Sequence, residues 1–240
     1  MRVNCDIGEA YGAWRLGDDE AIMPHIALAN VACGFHAGDP TVMAETVALA
    51  KRHGVAVGAH PSYPDLQGFG RRVMEVEPDE LTHLVMYQTG ALKAFLDAEG
   101  LELSHLKVHG ALYGRAARDG AVADAIAAAA AVFGVPVMGM AGTEHERAAR
   151  DAGLEFLAEY YADLEYDDDG MLIITRKHVA YEPEKAVARV RRVLEEGVAE
   201  TASGGEVPMR ADCVCVHSDT PGAADLAAAV AQALQSHTTR

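Results

Sequence analysis

Short apolar runs alternate with helical patterns from one end of this chain to the other, and that alternation limits the fold more than any single motif does. "VAVGAH" (55–60), "VPVMGM" (135–140) and "ADCVCVH" (211–217) are too short for helices. They are almost continuously apolar, as strands covered on both faces are. "MRVNCDI" (1–7), "IALANVACGFH" (26–36), "LSHLKVH" (103–109) and "LEFLAEYY" (154–161) read the same way. Helical patterns lie between them. In "DPTVMAETVALAKRHG" (39–54), Asp39 suits the N-cap and Pro40 the first turn, Val42, Met43, Thr46 and Val47 share a face, and Gly54 stops the helix. Further helices are predicted over 78–99, 119–134, 143–153 and 183–197. In the third of these, Thr143 and Glu146 make a capping box. A last helix is predicted to open on Thr220 as cap, with Pro221 in the first turn. About seven β/α units fit, which predicts a parallel sheet closed into a barrel. No linker interrupts the pattern, so residues 1–240 are expected to form a single (β/α) barrel domain. "ETASGGEV" (200–207) reads as a flexible surface loop and 236–240 as a frayed C-terminal tail.

Charge narrows the partners. Asp and Glu total 36 against 20 Lys and Arg, a formal net charge of −16. A surface that acidic repels phosphodiester backbones, so nucleic acid is excluded as an expected partner. No apolar run is long enough to span a bilayer, and the N-terminus lacks the apolar core of a signal peptide. Cys5, Cys33, Cys213 and Cys215 sit in apolar segments without a C-x-x-C pair. They are expected to be buried free thiols in a reducing cytoplasm.

The histidines fall in a pattern. His36, His60, His109 and His217 each end a predicted strand, and Asp6 ends the first. In parallel β/α folds the C-terminal strand ends converge on one face, where sites are built. Histidine titrates near neutrality and moves protons there. These five residues are therefore expected to line one pocket. There is no H-E-x-x-H, and no second histidine lies four residues beyond His60, so no tightly bound metal is expected. Neither a G-x-S-x-G elbow nor a G-x-x-x-x-G-K-[ST] loop is present. After His60 comes a long loop, "PSYPDLQGFGRR" (61–72), whose Arg71 and Arg72 suit an anion or a solvated turn equally well.

"NCDIGE" (4–9), "NVACGFHAGDP" (30–40), "GAHPSYPDLQGFGRR" (58–72), "KVHGALY" (107–113) and "VHSDTPGA" (216–223) together resemble the LamB/YcsF family, the A subunits of 5-oxoprolinase. The blocks span nearly the whole chain in the family's order. The resemblance implies a seven-stranded β/α barrel like that of glycoside hydrolases and deacetylases. It also implies a hydrolase that works with subunits B and C to open the lactam of 5-oxo-L-proline to L-glutamate. ATP, with Mg2+, would be the co-substrate. The catalytic candidates are Asp6, His60, His109 and His217. The candidates for substrate or phosphate binding are Glu9, His36, Arg71, Arg72, Lys107 and Asp163. The chain departs from the family at Val108, Leu164 and Ser218, where proline, arginine and glycine are usual. A metal-dependent deacetylase or amidohydrolase on the same barrel, and a non-catalytic subunit that binds a small carboxylate, are the competing readings. Self-association as a homo-oligomer is left open by the sequence.

Overall fold

A computed structural model describes residues 1–175 and 179–238. Strands β1 (Arg2–Ile7), β2 (Leu28–Ala32), β3 (Ala56–His60), β4 (Leu103–Leu106), β5 (Val137–Gly139) and β6 (Phe156–Tyr161) lie side by side in parallel. Outside them, β7 (Val198–Glu200) and β8 (Glu206–Pro208) pair antiparallel. Strand β9 (Cys213–His217) fits between β6 and β1 and closes a seven-stranded barrel. This is the α/β barrel that the alternation predicts.

The helices are α1 (Asp19–Ile22), α2 (Pro40–His53), α3 (Pro78–Glu99), α4 (Gly110–Ala116), α5 (Gly120–Phe133), α6 (Glu144–Asp151), α7 (Pro183–Glu196) and α8 (Ala223–Thr238). Their apolar stripes form the main core against the outside of the barrel. Val42, Met43 and Val47 of α2, and Leu81, Val85, Leu92 and Leu96 of α3, are all buried. Each such side chain contributes about 1.5–3 kcal/mol. Asp39 caps α2 as expected, its carboxylate accepting from Thr41 N and Val42 N, and Gly54 ends the helix in the left-handed region. No helix among the described residues is long and apolar enough to cross a membrane.

Several local expectations are corrected. Residues 200–207 belong to the β7–β8 hairpin, tightened by the Thr201 hydroxyl, which accepts from Gly205 N at 3.0 Å. Thr220 does not cap the last helix, which begins at Ala223; its hydroxyl donates to Asp163 at 3.1 Å instead. The capping box at α6 is offset, because Glu146 reaches Gly142 N and not the Thr143 amide. Helix α8 runs to Thr238, past the start of the expected tail, and 239–240 lie outside the described residues. The strand expected over 103–109 ends at Leu106, and α4 was not anticipated.

The barrel interior is polar. Residues two apart on a strand share a face, and pairing brings Asp6 level with Asn30 on one side and His217 on the other. Asn30 Nδ2 donates to Asn4 Oδ1 and Asp6 Oδ1, each at 2.8 Å. Asn30 Oδ1 accepts from His105 Nε2 at 2.7 Å, and the Ser104 hydroxyl closes on His105 Nδ1 at 2.6 Å. Burial, with Lys107 nearby, pushes His105 down to about 3, so its ring is neutral. Gly58 makes room for that ring, since a methyl group there would collide with the His105 imidazole. Because hydrogen bonds at both nitrogens hold His105, Gly58→Ala is expected to cost about 1–3 kcal/mol, the usual range for overpacking. Thermal unfolding reads this, and an unchanged melting temperature would contradict it.

Candidate active site

Strand ends and the segments after them bring Asp6, His60, Lys107, His109 and His217, with Arg71, to one cleft, while His36, expected in the same pocket, lies outside its lining. Asp6 is the hub. Its Oδ1 accepts from Lys107 Nζ at 2.9 Å and from Asn30, while Oδ2 faces His60 Nε2 at 3.3 Å and His217 Nε2 at 3.8 Å. Burial raises its pKa, but His60 and Lys107 outweigh that and hold the carboxyl well below its usual range. Asp6 is therefore ionised and oriented.

His217 stands on a second carboxylate. Asp163 accepts from His217 Nδ1 at 3.0 Å and from the His217 amide at 3.0 Å. Burial lowers the histidine, yet Asp163 overrides this and raises it above the ordinary value. The ring is thus fixed, with Nε2 aimed at Asp6. Asp163 was expected to bind substrate or phosphate; its bonds instead make it the orienting partner of His217.

Lys107 was expected to hold phosphate. It is only 1 % exposed, and its ammonium lies between Asp6 and Glu159, 2.8 Å from Glu159 Oε1. Burial works against its charge, but Asp6 more than restores it. Its cation therefore belongs to the floor of the cleft. Arg71 lies at the cleft wall, joined to Asp219 at 2.8 Å and stacked on the Phe69 ring. Arg72 points elsewhere: its guanidinium is half-exposed and clasped by Asp65, outside the cleft lining.

The loop after His60 is a lid on the histidines. Phe69 takes a positive φ of 54°, unusual for a residue with a side chain, and its carbonyl accepts from His109 Nε2 at 2.9 Å. Gly70 follows at φ 64°, so close that an added methyl carbon would lie 2.7 Å from His109 and 2.9 Å from His36. Beneath it, His36 and His109 stack with ring centroids 3.8 Å apart. Glu9 completes this layer, with Oε1 3.2 Å from His36 Nε2 and 3.5 Å from His109 Nδ1. Burial, then the charge of Asp6, raises Glu9 well above the usual carboxylate range, and burial lowers His36 and His109. Ser218 donates to Glu9 at 3.4 Å. Leu164 gives the cleft an apolar wall.

Glu159, Tyr161, Asn30 and Asp219 are site residues that sequence reasoning missed. The available signal was polarity out of place: Glu159 is the charged residue inside the apolar run "FLAEYY" and is fully buried. Tyr161 stacks on His217 at a centroid distance of 5.3 Å.

Known proteins resemble this chain over nearly its whole length. The family model described as "LamB/YcsF family" matches residues 1–240. The "Lactam utilization protein lamB" of Emericella nidulans is 48% identical over 228 residues, covering 93% of this chain and 90% of its own. The 5-oxoprolinase A subunit of Chloroflexus aggregans is 49% identical over 237 residues, covering 97% of this chain and 94% of its own. The crystal structure of the lactam utilization protein from Thermus thermophilus superposes with a TM-score of 0.91 at 47% identity, covering 99% of this chain and 97% of that one.

Proposed function

This chain belongs to the LamB/YcsF family, and from that premise we propose that it is the A subunit of an ATP-dependent 5-oxoprolinase. A role in 5-oxoproline or lactam utilization follows from relatives carrying those names at nearly half identity over almost full length. The observation that carries the finer reading is the cleft itself. It presents an ionised Asp6 between two histidines, one of them paired with Asp163, beside the Arg71 guanidinium.

A lactam carbonyl is a poor electrophile. Transfer of the ATP γ-phosphoryl group to its oxygen creates a leaving group. Water then adds at the ring carbon, the carbon–nitrogen bond breaks as the nitrogen takes a proton, and a second water cleaves the resulting acyl phosphate to release phosphate. The products are L-glutamate, ADP and phosphate. Asp6, held in place by His60, orients the water and accepts its proton. His217 supplies the proton to the ring nitrogen. Arg71 offers charge to the phosphoryl oxygens. His109 supports His60, Lys107 positions Asp6, and Mg2+ travels with ATP. Subunits B and C complete the enzyme, as the word "subunit" in the names of the relatives suggests. Four free, buried thiols support a cytoplasmic setting.

The test is reconstitution. The purified chain is assayed alone and with its two presumed partner chains, following 5-oxoproline, ATP and glutamate together. Glutamate and ADP in equal amounts, only when all three chains are present, are expected. Lactam opening without ATP would overturn the reading.

A further inference from the structure

Two backbone carbonyls fix the tautomers of two site histidines. His60 Nδ1 lies 2.8 Å from Lys107 O, and His109 Nε2 lies 2.9 Å from Phe69 O. A carbonyl oxygen only accepts, so each of those ring nitrogens carries a hydrogen. In neutral rings the remaining nitrogens, His60 Nε2 and His109 Nδ1, are then bare. Yet they face each other at 3.0 Å. Two lone pairs at that separation call for a positive charge between them.

The surrounding charges also leave room for a cation. Arg71 is met by Asp219, while the single ammonium of Lys107 is shared by Asp6 and Glu159. Glu9 is met by the imidazoles of His36 and His109 and by the Ser218 hydroxyl, none of them a fixed cation. The Glu9 carboxyl is thus buried against imidazoles and a hydroxyl, a setting in which a metal ion is a suitable partner.

We propose that the cleft holds one divalent transition-metal cation of the zinc class, ligated by His60 Nε2, His109 Nδ1 and Glu9 Oε1. A tetrahedral site with metal–ligand bonds of about 2.0–2.1 Å has edges of about 3.3–3.4 Å. The His60–His109 and His109–Glu9 separations of 3.0 and 3.5 Å bracket that edge. Ligand atoms from Glu9, His36, His60 and His109 all lie within 4.8 Å of one another. His36 is nevertheless a positioning residue and not a ligand. Its ring is parallel to that of His109 within 7°, and stacked rings cannot aim two lone pairs at one ion. Its Nε2 instead reaches Glu9 and holds that carboxylate in place. The carbonyls of Lys107 and Phe69 do the same for the two histidine ligands, the usual outer support of a metal-bound imidazole. Three protein ligands leave a fourth position, and it opens on the cleft that His60 and His109 line. An oxygen ligand, such as water or a carbonyl or phosphoryl oxygen, fits there. The expectation of no tightly bound metal looked for paired histidines on one helix. These ligands come from the end of β3 and from the segments following β1 and β4.

Metal binding is read on the isolated chain, without lactam or ATP, so it stands or falls apart from the proposed reaction. The chain is stripped with chelator and titrated with zinc sulfate or cobalt chloride. About one equivalent bound by elemental analysis is expected, with the visible bands of four-coordinate cobalt. An anomalous-scattering peak in zinc-soaked crystals is expected between the three ligand atoms. His109→Ala is expected to abolish uptake, and His36→Ala to weaken it about 10–100-fold. His36→Gln, which keeps a donor towards Glu9, should recover part of that loss. Failure of the folded, unsubstituted chain to take up either metal would overturn the proposal and leave a shared proton between the two rings. A peak at another place would overturn it as well. Stoichiometric zinc in a chain without 5-oxoprolinase activity would overturn the proposed function and leave the metal site standing.

Discussion

His60→Ala is expected to lower ATP-dependent glutamate release by the assembled enzyme about 10²–10⁴-fold, the range typical of a positioned acid–base group. The side chain touches the centre from several directions: Asp6 Oδ2 at 3.3 Å, His109 Nδ1 at 3.0 Å and the Lys107 carbonyl at 2.8 Å. Removing it takes away the partner that orients Asp6 towards the cleft and frees His109 to turn. The fold should survive. The main debt is one buried carbonyl without its donor, about 1–3 kcal/mol. Turnover in the reconstituted enzyme and thermal melting of the isolated chain must therefore be measured together. Near-normal turnover in a folded variant would remove His60 from the chemistry. Loss of activity matched by global unfolding would show that the residue is structural.

Lys107→Met carries the largest expected effect on stability. The ammonium is the link between Asp6 and Glu159, at 2.9 and 2.8 Å, and all three side chains are sealed from water. Methionine fits the space but leaves two carboxylates buried without their cation. Breaking such a buried pair by removing one partner costs about 3–5 kcal/mol. In a chain of this size that lowers the melting temperature by roughly 6–20 °C. Glu159→Gln added to Lys107→Met should recover a substantial part, since it removes one of the stranded charges. The double-mutant cycle decides the matter. Strictly additive losses would mean that Lys107 and Glu159 are not coupled, against the geometry.

The barrel was legible because burial on both strand faces leaves a plain mark: apolar runs too short for helices, separated by capped helical stripes. Asp6, His60 and His217 were legible for the same reason, since the end of a strand can be located before its neighbours are known, whereas His36 and His109, expected at strand ends, lie in the segments that follow β2 and β4. Partnership across the chain was not. Arg71 and Asp219 are 148 residues apart, and only closure of the ring by β9 brings them together. Arg71 and Arg72 look alike in sequence, yet one lines the cleft and the other turns out to Asp65. Lys107 reads as a phosphate-seeking cation until Glu159, buried elsewhere in the sheet, is seen to claim it. The β7–β8 hairpin was hidden by its glycines, which signal a turn but not the short strands on either side.

The lining of the barrel has a consequence for change. In many barrels an apolar plug separates the chemistry at one mouth from the stability below it. Here Ser104, His105, Asn30 and Asp6 form a continuous relay of hydrogen bonds from within the ring to the cleft. A substitution that adjusts reactivity at the mouth also disturbs the inner wall of the cylinder. Variants selected for a new lactam should therefore seldom be neutral in stability, and repairs should be found along this relay before they are found among the outer helices.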